Sequence, residues 1–459
     1  MIKQINAPLG LLPGRREFLD RGCRTLSMLA SASALGHLGK MSALAQPGPD
    51  YKALVCIFQF GGNDANNVII PLSSSGYQSY QTVRQGLSIP AASLLAVTNS
   101  KNETYGLHSS LAALHPLYTQ NKHLALLYNM GTLVRPLTRQ QYQQGSQPVP
   151  MNLFSHSDQQ QQWQNAAPLG GVSTGWCGRV ADKVQVLNGA SSFPPSVGVA
   201  GNSLQLLGQA TQPTAITGNN FGTEGSDHTP AADGRDLALQ EILAFSSGAA
   251  LVQGSNQVLG DAIRVARLVD QAINTSSPLV TVFPATGLGQ QLAQVARIIQ
   301  VRAALGMQRQ IFFCTQGGYD NHAGQLGTHA ALLLELSQGM AAFYNAMGEL
   351  GVQDKVTTFT ESEFSRTFQL NGTAGTDHAW GGHQLALGAA VKGGNSYGTF
   401  PTLALQGPDD SGSRGNWIPT TSLDQYGATL ASWFGVSALD MGYVFPNLPN
   451  FAAANLGFV

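Results

Sequence analysis

Ala53-Leu54-Val55-Cys56-Ile57-Phe58-Gln59-Phe60 is a nearly unbroken apolar run that stops at Gly61-Gly62. A segment apolar at odd and even positions alike has no face to give to water. It suits a central strand of a largely parallel sheet that is covered on both sides. Similar runs recur at 123–128, 310–315 and 356–360. Between them, 290–305 and 326–350 repeat apolar residues at three-to-four spacing over several turns, the period of a helix with one buried face. Strands alternating with helices predict an α/β fold, a three-layer αβα sandwich around a mostly parallel sheet.

The rest of the chain differs in texture. From about 189 to 230, Gly, Ser, Thr, Asn and Gln dominate, which reads as a long surface excursion. Helical periodicity returns over 236–274, so 189–285 reads as an inserted excursion with a helical cap over the sheet. The tail past Ser437 looks irregular, and no internal repeat is visible. At the other end, Arg15-Arg16-Glu17-Phe18-Leu19 pairs arginines with apolar residues. A weakly hydrophobic stretch from Leu26 to Leu35 follows, and Ala43-Leu44-Ala45 has the small-x-small pattern of a cleavage site. Residues 1–45 therefore read as a cleaved twin-arginine leader, and 46–459 as the exported α/β domain, periplasmic or secreted. The twin-arginine export machinery is then a partner, and that route carries folded proteins, often with a metal or cofactor loaded.

Charged residues make up 11% of the chain, the net charge is −1, and no basic run stands out. That excludes electrostatic capture of nucleic acid or of an anionic membrane. No later segment has the length of a transmembrane helix. Past the leader the cysteines are Cys56, Cys177 and Cys314, with no metal-type spacing. Buried thiols and a Cys56–Cys314 bridge are both open. Any metal has to be held by His and carboxylate.

Ligands in open α/β sheets gather at the carboxyl ends of strands. Here the first strand is followed by Gly61-Gly62-Asn63-Asp64, the 310–315 strand by Gly317-Gly318-Tyr319-Asp320-Asn321-His322, and the 356–360 strand by Glu361-Ser362-Glu363-Phe364-Ser365-Arg366. The last loop runs on through Asp377-His378-Ala379-Trp380-Gly381-Gly382-His383. Asp64, Asp320, His322, Glu363, Asp377, His378 and His383 are thus seven candidate ligands. Carboxylate oxygen and imidazole nitrogen suit Zn, Mn or Fe where thiolate is absent. Ser155, with Asp158 three residues on, has capping-box spacing and marks a helix start running through Trp163. A hydroxyl there is an ordinary cap or a nucleophile favoured by the helix dipole, with Ser157 as the alternative. Arg366 is a fork for phosphate or sulfate oxygens, or one half of an ion pair. Trp380 packs over the site or belongs to the core.

These motifs, with Thr174-Gly175-Trp176, make the chain resemble the alkaline phosphatase and sulfatase superfamily. It is most similar to a twin-arginine-exported branch known chiefly as a domain of unknown function. The resemblance spans nearly all of the chain past the leader. It implies an alkaline-phosphatase-like fold and two metal ions about 4 Å apart beside a Ser or Thr nucleophile. One ion would take Asp64 and Ser155, the other Asp320, His322 and His383. Glu363 and Phe364 stand where an Asp-His pair is usual, and Asp377-His378 would make good the loss. The Asp320–His322 spacing is shorter than in alkaline phosphatases and Phe364 cannot bind metal, so the ion count is one or two. The implied function is hydrolysis of an anionic phosphate or sulfate ester. The alternative is a secreted binding or assembly protein with a structural or degenerate metal site. A redox role is disfavoured, because no haem, flavin or Cys-ligand motif is present.

Overall fold

A computed structural model describes residues 51–217, 230–245 and 248–459. The leader reading, 1–45, lies outside the described residues. Twelve strands are β1 (Lys52–Gln59), β2 (Ile69–Pro71), β3 (Leu95–Thr98), β4 (Thr104–Leu107), β5 (Leu124–Gly131), β6 (Ser196–Gly198), β7 (Thr214–Ala215), β8 (Arg309–Gln316), β9 (Val356–Glu361), β10 (Gly382–Leu387), β11 (Asn395–Tyr397) and β12 (Thr421–Ser422) among the described residues. The helices of eight residues or more are α1 (Ser74–Arg84), α2 (His156–Asn165), α3 (Trp176–Val184), α4 (Pro230–Ala244), α5 (Ala250–Asn274), α6 (Gly287–Gln300), α7 (Gln325–Glu349) and α8 (Leu423–Phe434).

Nine strands form the main sheet, in the order β11-β5-β10-β9-β1-β8-β6-β7 with β12 also on β5. Every pairing is parallel except those of β10, so the four apolar runs form the expected mostly parallel sheet. Strands β2, β3 and β4 make a small antiparallel sheet of their own.

The alternation along β1 shows why the run is apolar throughout. Ala53, Val55 and Ile57 join one core with Val269 of α5, Leu292 of α6 and Met340 of α7. Leu54, Cys56 and Phe58 join the other with Trp176 of α3 and Tyr426 of α8. Helices thus cover both faces, giving the three-layer sandwich.

The same alternation rules out the Cys56–Cys314 bridge. Cys314 pairs across the sheet with Ile57, not Cys56, and the two thiols point into opposite cores. All three cysteines are free and buried. The region after 189 is also less of an excursion than its composition suggests. Phe193, Val197 and Val199 are buried, and β6 and β7 extend the main sheet beyond β8. The 236–274 stretch is two helices, α4 and α5, rather than one continuous pattern.

Strands β9, β1 and β8 lie side by side in register, Phe58 opposite Glu361 and Gln59 opposite Gln316. Their carboxyl ends therefore release three loops at one level.

Candidate metal centre

Gly61 and Gly62 let the loop after β1 press against its neighbours. Both have positive φ, +112° and +81°. A Cβ on Gly61 would sit 2.5 Å from the Asp320 backbone nitrogen, and one on Gly62 2.5 Å from the Phe364 ring. Only glycine fits this close approach. Ser362 ties the β1 and β9 loops together, its hydroxyl donating to the Gln59 carbonyl at 2.8 Å and accepting from Asn63 N–H at 2.9 Å.

Four ligand atoms converge where these loops meet the start of α2. His156, Asp320 and His378 form a group able to hold a metal ion, their ligand atoms all within 4.8 Å of one another. Asp320 Oδ1 lies 3.5 Å from His156 Nε2, 3.4 Å from His378 Nε2 and 2.9 Å from His322 Nε2. His378 Nε2 is 3.1 Å from both His156 Nε2 and His322 Nε2. A tetrahedral ion with bonds of about 2.0–2.1 Å spaces its ligand atoms about 3.3 Å apart, which the separations among His156, Asp320 and His378 match, with His322 beside the last two.

The far side of each ring strengthens that fit. His156 Nδ1 donates to Glu363 Oε1 at 2.9 Å, His322 Nδ1 to Asp377 Oδ1 at 3.1 Å, and His378 Nδ1 to the Phe154 carbonyl at 2.7 Å. Carboxylates and carbonyls accept, so these bonds place each ring proton on Nδ1. Three Nε2 lone pairs and a carboxylate oxygen then face one another. The Arg366 guanidinium meets part of that repulsion, donating to Asp320 and lying 3.4 Å from His322 Nε2, and the outer acceptors are those that orient ligating histidines in metal sites.

Local structure explains how each ring is held. Glu363 is buried and accepts also from Gly61 N–H at 2.8 Å and Gln160 Nε2 at 2.9 Å, so it is fixed before it fixes His156. Its hydrogen bond raises the His156 pKa and makes the ring a stronger base. Phe154 takes φ +72°, a left-handed conformation costly for a bulky residue, and so aims its carbonyl at His378. The Phe364 ring packs 4.8 Å from both His156 and His378, a wall beside the two imidazoles. Burial works against charge on Asp377, but Arg414, Asn371 and His322 outweigh it and hold its carboxyl at about 2. Burial likewise opposes charge on Asp320, and Arg366 and the nearby imidazoles keep it below the usual range.

A family model described as a protein of unknown function, DUF1501, matches residues 51–416. The chain belongs to the DUF1501 family. No curated protein matches this DUF1501 chain. Among solved structures it is similar to the lipoteichoic acid synthase LtaP from Listeria monocytogenes at 7% identity, covering 85% of this chain and 74% of that one with a TM-score of 0.34. It is similar to the phosphonate monoester hydrolase of Agrobacterium radiobacter at 8% identity, covering 83% and 74% with a TM-score of 0.32. Against the PsFucS1 sulfatase from Pseudoalteromonas sp. the values are 9% identity, 86%, 71% and 0.32.

Of the seven sequence-derived ligands, this DUF1501 centre brings together Asp320, His322 and His378 at its middle and Glu363 and Asp377 behind the rings. Asp64 and His383 stand apart. Both Asp64 oxygens are taken: Oδ2 by Arg84 and Gln325, Oδ1 by Asn66 at 3.3 Å. Burial opposes its charge, but the Arg84 guanidinium holds its carboxyl low. His383 is buried against the Phe400 ring at 4.8 Å, accepts from Asn129 N–H at 3.1 Å, and is held neutral by burial, down to about 3.

Ser155 does precede α2, but its side chain makes no cap bond. Its hydroxyl instead donates to Asp158 Oδ2 at 2.5 Å and lies 3.2 Å from the Ser157 hydroxyl. Arg366 is no open fork. It is buried and donates to the Gly62 carbonyl at 2.9 Å, to the Gly61 carbonyl at 2.5 Å and to Asp320, tying the β1 and β8 loops together. Trp380 is core, its indole N–H on the Thr132 carbonyl at 3.0 Å. His156 stands outside the seven candidates, yet it belongs to the group able to hold a metal ion. Its signal was its place beside Ser155 at a helix start, which had been read for the hydroxyl alone.

Proposed function

We propose that this chain is an exported, metal-dependent hydrolase of phosphate or sulfate esters with a single-ion centre held by His156, Asp320, His322 and His378. The observation that carries the reading is the meeting of His156, Asp320 and His378 in one group able to hold a metal ion, with His322 Nε2 2.9 Å from Asp320 Oδ1 and 3.1 Å from His378 Nε2. Zn, Mn or Fe suits such a donor set and, when bound, would polarise a phosphoryl or sulfuryl oxygen. Export rests on Arg15-Arg16 and Ala43-Leu44-Ala45.

The chain's own residues supply the rest. Ser155 lies between two pinned neighbours, Phe154 holding His378 and His156 entering the centre. At the start of α2 the helix N–H groups favour a developing negative charge. Asp158, already accepting the Ser155 hydroxyl, is placed to take its proton as the oxygen attacks phosphorus or sulfur; the bond to the ester's alcohol oxygen breaks, that alcohol leaves with a proton from water, and a second water hydrolyses the seryl ester. Arg366 holds Asp320 and the glycine loop in position rather than gripping substrate.

A second reading has its own support. All four corners of the centre are protein atoms, as in closed structural sites, and the Ser155 hydroxyl is turned to Asp158. On that reading the chain is a secreted binding or assembly protein.

The test is turnover of aryl phosphates and aryl sulfates by protein loaded with Zn, Mn or Fe, with Ser155→Ala and His378→Ala beside it. The hydrolase reading expects metal-dependent turnover lost in both variants. Full turnover in Ser155→Ala removes that residue as nucleophile, and metal binding without turnover on either ester class leaves the second reading.

A further inference from the structure

Helix α5 carries one apolar stripe through two different surroundings. Val265, Val269 and Ile273, in its second half, are buried against the body of the domain. Seven and fourteen residues before Val265 stand Val258 and Leu251, exposed at 71% and 87%. A seven-residue step drifts only about 20° around an α-helix, so all three share a face. The stripe that packs in the second half of α5 therefore continues bare through the first. Val252 and Leu259 widen it, and Leu237, Ile242 and Phe245 add exposed apolar surface on and after α4.

The helix pair does not need these side chains for its own cohesion. Arg267 of α5 pairs with Asp236 of α4, and Asn256 Nδ2 donates to the Ile242 carbonyl at 3.3 Å. Leu239, Leu243, Ile263 and Leu268 line the cleft between the helices. Gly254 lies in the bare half, where a Cβ would meet nothing within 4 Å. Glycine is a poor helix former, and nothing described within the chain requires it there, whereas a second helix approaching closely would.

We propose that α4 and α5 seat against the same hairpin of a second copy of this chain, closing a four-helix interface about a twofold axis. The seven exposed apolar residues present on the order of 800 Å², what each partner gives to a standard interface. An interface between like patches has to be self-complementary, which apolar side chains are, and the charges α4 brings, Asp233, Arg235, Asp236 and Glu241, are of both signs. Residues 249–260 hold no charged side chain. A helix lying on a membrane carries Lys and Arg on its polar face, so lipid is the poorer match.

The experiment is sedimentation of the leader-free chain from nanomolar to high micromolar concentration, beside the double variant Leu251→Glu/Val258→Glu and the single variant Gly254→Leu. Both act at exposed positions, and circular dichroism checks that the fold is retained. Dimers are expected for wild type, with the dissociation constant raised roughly a hundredfold or more in the double variant and less in Gly254→Leu. A wild-type chain monomeric at every concentration overturns the proposal, whether or not it floats with lipid vesicles. A dimer that both variants leave unchanged overturns it as well.

Discussion

Asp64 and Asp320 each follow a glycine at the end of a neighbouring strand, β1 or β8, yet they end in opposite surroundings. Asp64 is buried with both oxygens committed, and the Arg84 guanidinium from α1 neutralises it. Asp320 is half-exposed, held on one side by Arg366, and faces His156, His322 and His378 on the other. The first is a closed, buried ion pair, while the second, also paired to an arginine, keeps its Oδ1 within 3.5 Å of three imidazole nitrogens. Residue type at a strand end therefore does not mark a ligand. What separates the two is their surroundings: Asp64 is enclosed by Arg84, Gln325 and Asn66, whereas Asp320, also bonded to an arginine, stays half-exposed beside three imidazoles.

The largest expected effect falls on the closed pair. Asp64→Ala strands a buried guanidinium and should lower unfolding free energy by about 3–5 kcal/mol in urea titrations. Metal content of the protein that remains folded should be unchanged. A stable Asp64→Ala that has lost its metal would break the comparison, because Asp64 would then be a ligand.

The open group should respond the other way. Glu363→Gln, which loosens the acceptor behind His156, should weaken metal affinity about 10–100-fold in chelator competition. Asp377→Asn acts on the more exposed His322 and belongs at the low end, roughly tenfold. Equal losses in the two variants would mean that burial of the supporting group does not matter.

A third carboxylate sharpens the contrast with Asp64. Asp424 is buried at the start of α8, and burial pushes its pKa up to about 7, with Arg179 opposing only in part. The folded chain thus holds a proton between 3.8 and about 7 that the unfolded chain releases, and this contribution to stability falls as pH rises through that window. Asp424→Asn should gain on wild type from about pH 4 to about pH 8 by on the order of a few kcal/mol, the amide's own burial cost being the same at both. A gap that does not widen with pH would mean the Asp424 carboxyl titrates normally.

Much of the frame was legible because it is local. Apolar runs with period-free burial marked β1, β5, β8 and β9, and three-to-four spacing marked α6 and α7. The strand-end loops held Asp320, His322, Glu363, Asp377 and His378, all now in or behind one centre. What composition hid depends on distance along the chain. Arg84 reaches Asp64 from the next helix, and Arg366 spends its donors on carbonyls that no motif records. The Gly/Ser-rich texture after 189 concealed β6 and β7, since strands of two or three residues need few apolar ones. The face each cysteine takes was set by register, which put Cys56 and Cys314 in different cores. His156 was hidden by its neighbour, because a serine at a helix start invites attention as a nucleophile.

Metal content and coordination of the chain purified without chelators, wild type beside Asp320→Ala, test the four-ligand centre most directly. The centre requires about one equivalent of Zn, Mn or Fe per chain, X-ray absorption showing mixed imidazole and carboxylate ligation, and loss of the ion in Asp320→Ala. A wild-type chain that neither retains an ion nor takes one up, or an Asp320→Ala variant that keeps its ion, would contradict it.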